Sequence, residues 1–134
     1  MKVCVCGGRE FGSIRVRDEN DFPREAKRRG VAEVRKLFDF LDALHSETPI
    51  SEIIHGGARG ADTQAGLWAR WRTVAVRVFE ANWEQEGKAA GVLRNQLMLE
   101  EGRPDLLVAF SGGRGTADCV LRARKMGIPV RVVE

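Results

Sequence analysis

The sequence predicts an α/β fold, an open parallel sheet of five strands with helices on both faces, and three observations carry that expectation. Short apolar runs alternate with segments of helical period along the whole chain. Three of the runs, at 2–6, 52–55 and 106–110, empty directly into glycines. The 134 residues contain no low-complexity segment or change of composition, so 1–134 reads as a single domain with enough chain for one sizeable core.

Residues 2–6 form the first strand and end in Gly7-Gly8-Arg9. Residues 10–30 are polar, contain Pro23 and show no period, which predicts a long surface loop. From Val31 the apolar residues Val34, Leu37, Phe38, Leu41 and Leu44 follow at helical spacing, and that helix ends near 46–49. The second strand, 52–55, opens into Gly56-Gly57-Ala58-Arg59-Gly60-Ala61-Asp62. Ala65, Leu67, Trp68 and Trp71 carry the next helix, with both tryptophans assigned to the core, and 73–79 is the third strand. A loop at 80–84 leads to a helix over about 85–101 that breaks before Pro104. The run 106–110 has no polar alternation, as a strand covered on both faces requires. It empties into Ser111-Gly112-Gly113-Arg114-Gly115-Thr116, followed by a helix over 117–126, a stop at Gly127 and a fifth strand at 129–133. Right-handed connections favour the strand order 3-2-1-4-5.

No apolar stretch approaches the length of a membrane span, and the N-terminus runs straight into a strand without the layout of a signal peptide. A soluble, cytoplasmic protein is expected. Three cysteines, an odd number, fit a reducing compartment and no disulfide scaffold. Cys4 and Cys6 share one strand face, while His45 and His55 stand in unrelated contexts, so no metal site and no cofactor are expected. The net charge is +3, and Arg15, Arg17, Arg24, Lys27, Arg28 and Arg29 crowd one segment. Asp18, Glu19, Asp21 and Glu25 interleave with them, so a mixed-charge loop is the favoured reading and a nucleic-acid footprint its rival.

In a sheet of this order the ligand crevice lies beyond the carboxyl ends of the strands, where the winding reverses between strands 1 and 4. Gly7-Gly8, Gly56-Gly57 and Gly112-Gly113 all fall on that edge, and Arg9, Arg59 and Arg114 accompany them. The third loop is neither Walker A nor G-x-G-x-x-G, since no Gly-Lys-Ser/Thr follows and the last position is Asp118. Gly112, Gly113 and Gly115 would permit left-handed torsions and leave the amides of 113–116 uncovered at a helix N-terminus, where an anion belongs. Lys88, Gly91, Arg94 or Asn95, and Met98 share one side of their helix, which either faces the pocket or packs a neighbouring helix. Trp83 is placed to stack on a base, and Glu80 and Asp118 to reach a ribose. His55 either contacts ligand or bonds backbone, and Asp62 is expected to cap its own helix.

Five blocks in order complete this picture: Gly7-Gly8-Arg9-x-Phe11; His55-Gly56-Gly57-Ala58-Arg59-Gly60-Ala61-Asp62; Trp83-x-x-x-Gly87-Lys88-Ala89-Ala90-Gly91; Arg94-Asn95-x-x-Met98; and Gly112-Gly113-Arg114-Gly115-Thr116-Ala117-Asp118. Together they resemble the YspA-type branch of the SLOG superfamily, and residues at about 12–30 look like a loop insertion relative to it. The resemblance implies a Rossmann-like fold and a nucleotide or nucleotide-derived ligand. The nucleotide-binding set it implies is Gly7, Gly8, Arg9, Gly56, Gly57, Arg59, Gly60, Asp62, Trp83, Lys88, Arg94, Asn95 and Ser111 through Thr116. The more distant LOG phosphoribohydrolases, which release a base from a nucleoside monophosphate, carry Pro-Gly-Gly-x-Gly-Thr-x-x-Glu and Arg-Lys-x-x-Met. Here Ser111 replaces the proline and Cys119 the glutamate, which leaves Asp118, with Arg94, as the catalytic candidates. The DNA-processing, DprA-like side of the superfamily adds weight to the nucleic-acid rival. The resemblance, with helix surface that one small sheet leaves uncovered, also suggests a homodimer.

Overall fold

Five strands, β1 (Lys2–Cys6), β2 (Glu52–His55), β3 (Ala75–Val78), β4 (Leu106–Ala109) and β5 (Val130–Val132), form one sheet in the computed structural model, which describes residues 1–134. Their order is β3-β2-β1-β4-β5 and every neighbouring pair is parallel, as expected. The helices are α1 (Pro23–Glu47), α2 (Ala61–Trp71), the single turn α3 (Trp83–Glu86), α4 (Ala90–Gly102) and α5 (Arg114–Lys125).

Alternation along β1 divides the core. Val3 and Val5 face α1 and α2, packing with Leu37, Leu41, Trp68 and Phe110. Cys4 and Cys6 face α4 and α5, packing with Met98, Leu99, Cys119 and Ala123. Between them the two layers bury β4 and all of β1 except Lys2, which is why these strands read as continuous apolar runs.

Several expectations need correction. Helix α1 begins at Pro23 rather than Val31. Its first two turns bury Ala26 and Gly30 instead of large apolar residues, so the inward face left no hydrophobic period to read. Gly30 is the point of closest approach: a Cβ there would lie 2.5 Å from the Ser13 carbonyl oxygen. Pro23 suits the helix start because its missing N–H needs no partner there. The expected helix over 85–101 is interrupted by one 3₁₀ turn, Gly87–Ala89, where Gly87 takes φ +55°. Helix α5 starts at Arg114, three residues before the expected position, so half of the third glycine loop is helix. No left-handed torsion occurs at Gly112, Gly113 or Gly115; among the loop glycines, Gly57 (+73°) and Gly60 (+82°) adopt it. Trp68 is fully buried and donates to Asp42 at 2.9 Å, whereas Trp71 is 74% exposed and stands edge-to-face with Phe38.

Candidate functional site

The three glycine loops meet at Gly8. Its N–H donates to Ser111 O at 2.9 Å, and its carbonyl accepts the Ala61 N–H at 3.3 Å. Close approach explains the glycines here: a Cβ on Gly8 would lie 3.1 Å from Gly112 Cα, and one on Gly112 would lie 2.7 Å from Gly8 N. A cleft of about 490 Å³ opens between these loops and α4. The first loop lines it with Gly7, Gly8 and Arg9, the second with Gly56 and Asp62. Trp83, Lys88, Arg94 and Asn95 form the α4 side, and Gly113 to Thr116 with Asp118 the α5 side. Gly57 and Arg59 instead line an adjoining hollow of about 340 Å³. Gly60, Ser111 and Gly112 line neither and act as loop contacts. Val5, Cys6 and Val92 also line the cleft, and no motif in the chain singles them out for that role.

Gly113 is the N-cap of α5, and its carbonyl accepts the Ala117 N–H at 3.1 Å. The amides of Arg114, Gly115 and Thr116 precede that first intrahelical bond, so they face the cleft unpaired at the positive end of the helix. A Cβ at Gly113 or Gly115 would meet no atom within 4 Å, so open space lies above both.

Arg94 ties α4 to the second loop: Nη1 donates to the Gly56 carbonyl, while Nε donates to Asn95 Oδ1 at 3.0 Å on the same helix. Its Nη2 and the second N–H of Nη1 remain for a ligand. Asn95 Nδ2 donates to Gly115 O at 3.1 Å and to Asp118 Oδ2 at 3.0 Å. Asp118 Oδ2 also accepts from Arg122 Nε at 2.9 Å, and Arg122 Nη1 donates to Gln96 at 2.8 Å. Through this chain α4 fixes the height and angle of the α5 N-terminus.

Asp62 does not cap its own helix. Gly60 occupies the N-cap, and Asp62 Oδ2 reaches back to accept from the Gly56 N–H (3.0 Å) and the Ala58 N–H (3.3 Å). Burial pushes its carboxyl up to about 6, against the opposing pull of those amides and Arg94. His55 resolves to a backbone partner: its Nδ1 accepts the Gly57 N–H at 3.0 Å, and burial, then Arg94, lowers its pKa. Gly91 admits the Trp83 ring, since a Cβ there would lie 3.3 Å from the indole. Arg9 also lies over this half-exposed ring, its guanidinium 5.4 Å from the ring centroid. In the basic segment Arg29 is bonded to Asp21 and Arg17 lies 3.9 Å from Glu33, whereas Arg24, Lys27, Arg28 and Arg35 on α1 are exposed and unpaired.

Residues 1–85 match the family described as YspA, cpYpsA-related SLOG. The chain belongs to that family. Over 97 residues it is also 44% identical to the Gene 61 protein of Mycobacterium phage D29, covering 66% of this chain and 76% of that one. SLOG/YspA membership carries a general nucleotide-binding character and agrees with the parallel sheet. The family match includes the first two glycine loops and Trp83, while α4 and the third loop lie beyond it. No helix is long and apolar enough to cross a membrane.

Proposed function

We propose that the cleft binds a nucleotide or a ribose-phosphate derivative. The observation that carries this reading is the unpaired amide turn of Arg114, Gly115 and Thr116 opening onto a cleft that also holds Arg9, Lys88 and Arg94 Nη2. A phosphate on those amides gains both hydrogen bonds and the helix field. Asp118 then lies one turn along α5, in reach of ribose hydroxyls, and Trp83 offers an apolar ring to the base. Cleavage of the N-glycosidic bond is the corollary. Its oxocarbenium-like transition state calls for a nearby carboxylate, and Asp118 is the one this reading assigns.

A thermal-shift and product-release screen over nucleoside mono-, di- and triphosphates tests both levels. Stabilisation with released base supports binding and hydrolysis; stabilisation without it retains binding alone. Gly113→Val fills the space above the amide turn without meeting another atom, so it should abolish the shift in a folded protein. Shifts that survive it would remove the anion site from the reading.

One observation favours a second reading, nucleic-acid binding: the unpaired Arg24, Lys27, Arg28 and Arg35 on α1. Such binding falls steeply with salt, at about 0.9 in log-log slope for each phosphate neutralised on duplex DNA. It should also be indifferent to Gly113→Val. Oligonucleotides that fail to bind at low salt would dispose of it.

A further inference from the structure

The cleft and the hollow beside it share one wall. Arg9, Gly56, Ala58, Trp83 and Arg94 line both. The α5 amides, Asp62 and Asp118 belong to the cleft alone, and Gly57, Arg59 and Glu80 to the hollow alone. Charge is therefore divided between the two. The cleft alone holds the helix amides with Asp62 and Asp118, the shared wall two guanidinium groups, and the hollow alone Glu80 with Arg59.

Glu80 is exposed and makes no hydrogen bond or ion pair within the chain, and Arg9 has no partner beyond the Trp83 ring. The hollow also depends on a missing side chain. A Cβ on Gly57 would lie 3.1 Å from both Glu80 Cγ and Val78 Cγ1, at a backbone φ of +73° that glycine favours. A mononucleotide seated on the α5 amides would leave this second half unused.

The geometry points to a longer ligand: a nucleoside diphosphate esterified to a second hydroxyl-rich unit. One phosphate sits on the α5 amides, the next on Arg9 and Arg94 Nη2, and the second unit turns into the hollow. There Glu80, whose two oxygens have no partner within the chain, accepts from that unit's hydroxyls, while Arg59 exchanges Glu10, 3.1 Å away, for the ligand. This inference rests on the nucleotide reading above and extends it.

Calorimetric titration of the full chain with three pairs, AMP and ADP-ribose, UMP and UDP-glucose, GMP and GDP-mannose, tests the extension with the base held constant in each. The diphosphate-linked member of at least one pair should bind about tenfold more tightly than its monophosphate, the scale of one or two charge-assisted hydrogen bonds. Glu80→Ala and Arg59→Ala, both at exposed positions, should bring that ratio close to one. A monophosphate binding as tightly as its extended partner would overturn the inference and leave the nucleotide reading standing. So would an advantage that survives both substitutions. No binding by any of the six would overturn the inference together with the reading beneath it.

Discussion

Asp118 and Cys119 are neighbours in the chain and face different sides of α5. Asp118 lines the cleft and accepts from Asn95 and Arg122, while Cys119 is fully buried in the layer that holds Cys4 and Cys6. One residue along a helix turns a side chain by about 100°, enough to exchange cleft for core. Where the resemblance to the phosphoribohydrolases would lead one to expect a glutamate, this chain has a core cysteine.

That arrangement predicts opposite outcomes for two substitutions. Cys119→Glu should destabilise the fold by about 3 kcal/mol or more, because it forces a carboxylate into an apolar layer. Asp118→Asn should cost only about 1 kcal/mol, since its bonds to Asn95 and Arg122 are partly solvated. Urea denaturation reads both. A stable Cys119→Glu protein would contradict the assignment of that side chain to the core.

Asp62 should make the protein less stable as pH rises. Its carboxyl titrates at about 6 in the fold against an ordinary value of 3.8, so the native state holds the proton more tightly than the unfolded chain. Stability from this group is lost between those two values, by about 3 kcal/mol in full. His55 works in the other direction, losing stability as pH falls below its ordinary 6.5. The difference between wild type and Asp62→Asn isolates the carboxyl. The variant, whose amide oxygen can still accept from Gly56 and Ala58, should be the more stable at pH 7 and lose that lead by pH 4. A difference that does not change with pH would refute the perturbed carboxyl.

Gly112 and Gly115 are three residues apart and should respond oppositely to alanine. Gly112→Ala drives a methyl group against Gly8 N and should cost about 1–3 kcal/mol. Gly115→Ala places it in open space within a helical turn and should be neutral or stabilising, by up to about 1 kcal/mol. Chemical denaturation of the two variants settles the matter; equal losses would show that both glycines serve packing.

Trp83 should report ligand by fluorescence. Trp68 is buried on the far side of the sheet and Trp71 lies on the end of α2, so neither lines the cleft. Nucleotide binding should quench the emission and the quench should vanish in Trp83→Phe. Trp83→Ala should weaken a mononucleotide about tenfold, within the range for base stacking on an aromatic ring. An undiminished quench without Trp83 would place the base elsewhere.

How far the chain could be read depended on what each signal encodes. The parallel sheet was legible because β4 and the buried part of β1 are apolar without alternation and lead into glycine loops, a pattern that burial on two faces produces directly. The start of α1 was not, because Ala26 and Gly30 bury a helix face without looking hydrophobic. The start of α5 was obscured by Arg114-Gly115-Thr116, residues of loop character held in a helical turn. Trp68 and Trp71 share a helix, yet three steps around it separate core from solvent. Of the candidate site, the glycine edge and Asp118 followed from spacing. The partners of Asp62 and Arg94 did not, because both reach across to the Gly56 loop and spacing along one helix carries no record of what stands opposite.

Gly8 accepts from α2 on one side and donates to the end of β4 on the other. The rim is thus sewn to two segments that arrive from distant parts of the chain, and it cannot fray by itself as a surface loop does. Amide exchange at Gly8 should therefore proceed at the rate of whole-molecule unfolding, slower than at the tip of the Glu10–Asp21 segment. Because these hydrogen bonds join segments far apart in the chain, whose closure costs more entropy than local contacts, the cleft should also be among the late structures to form during refolding.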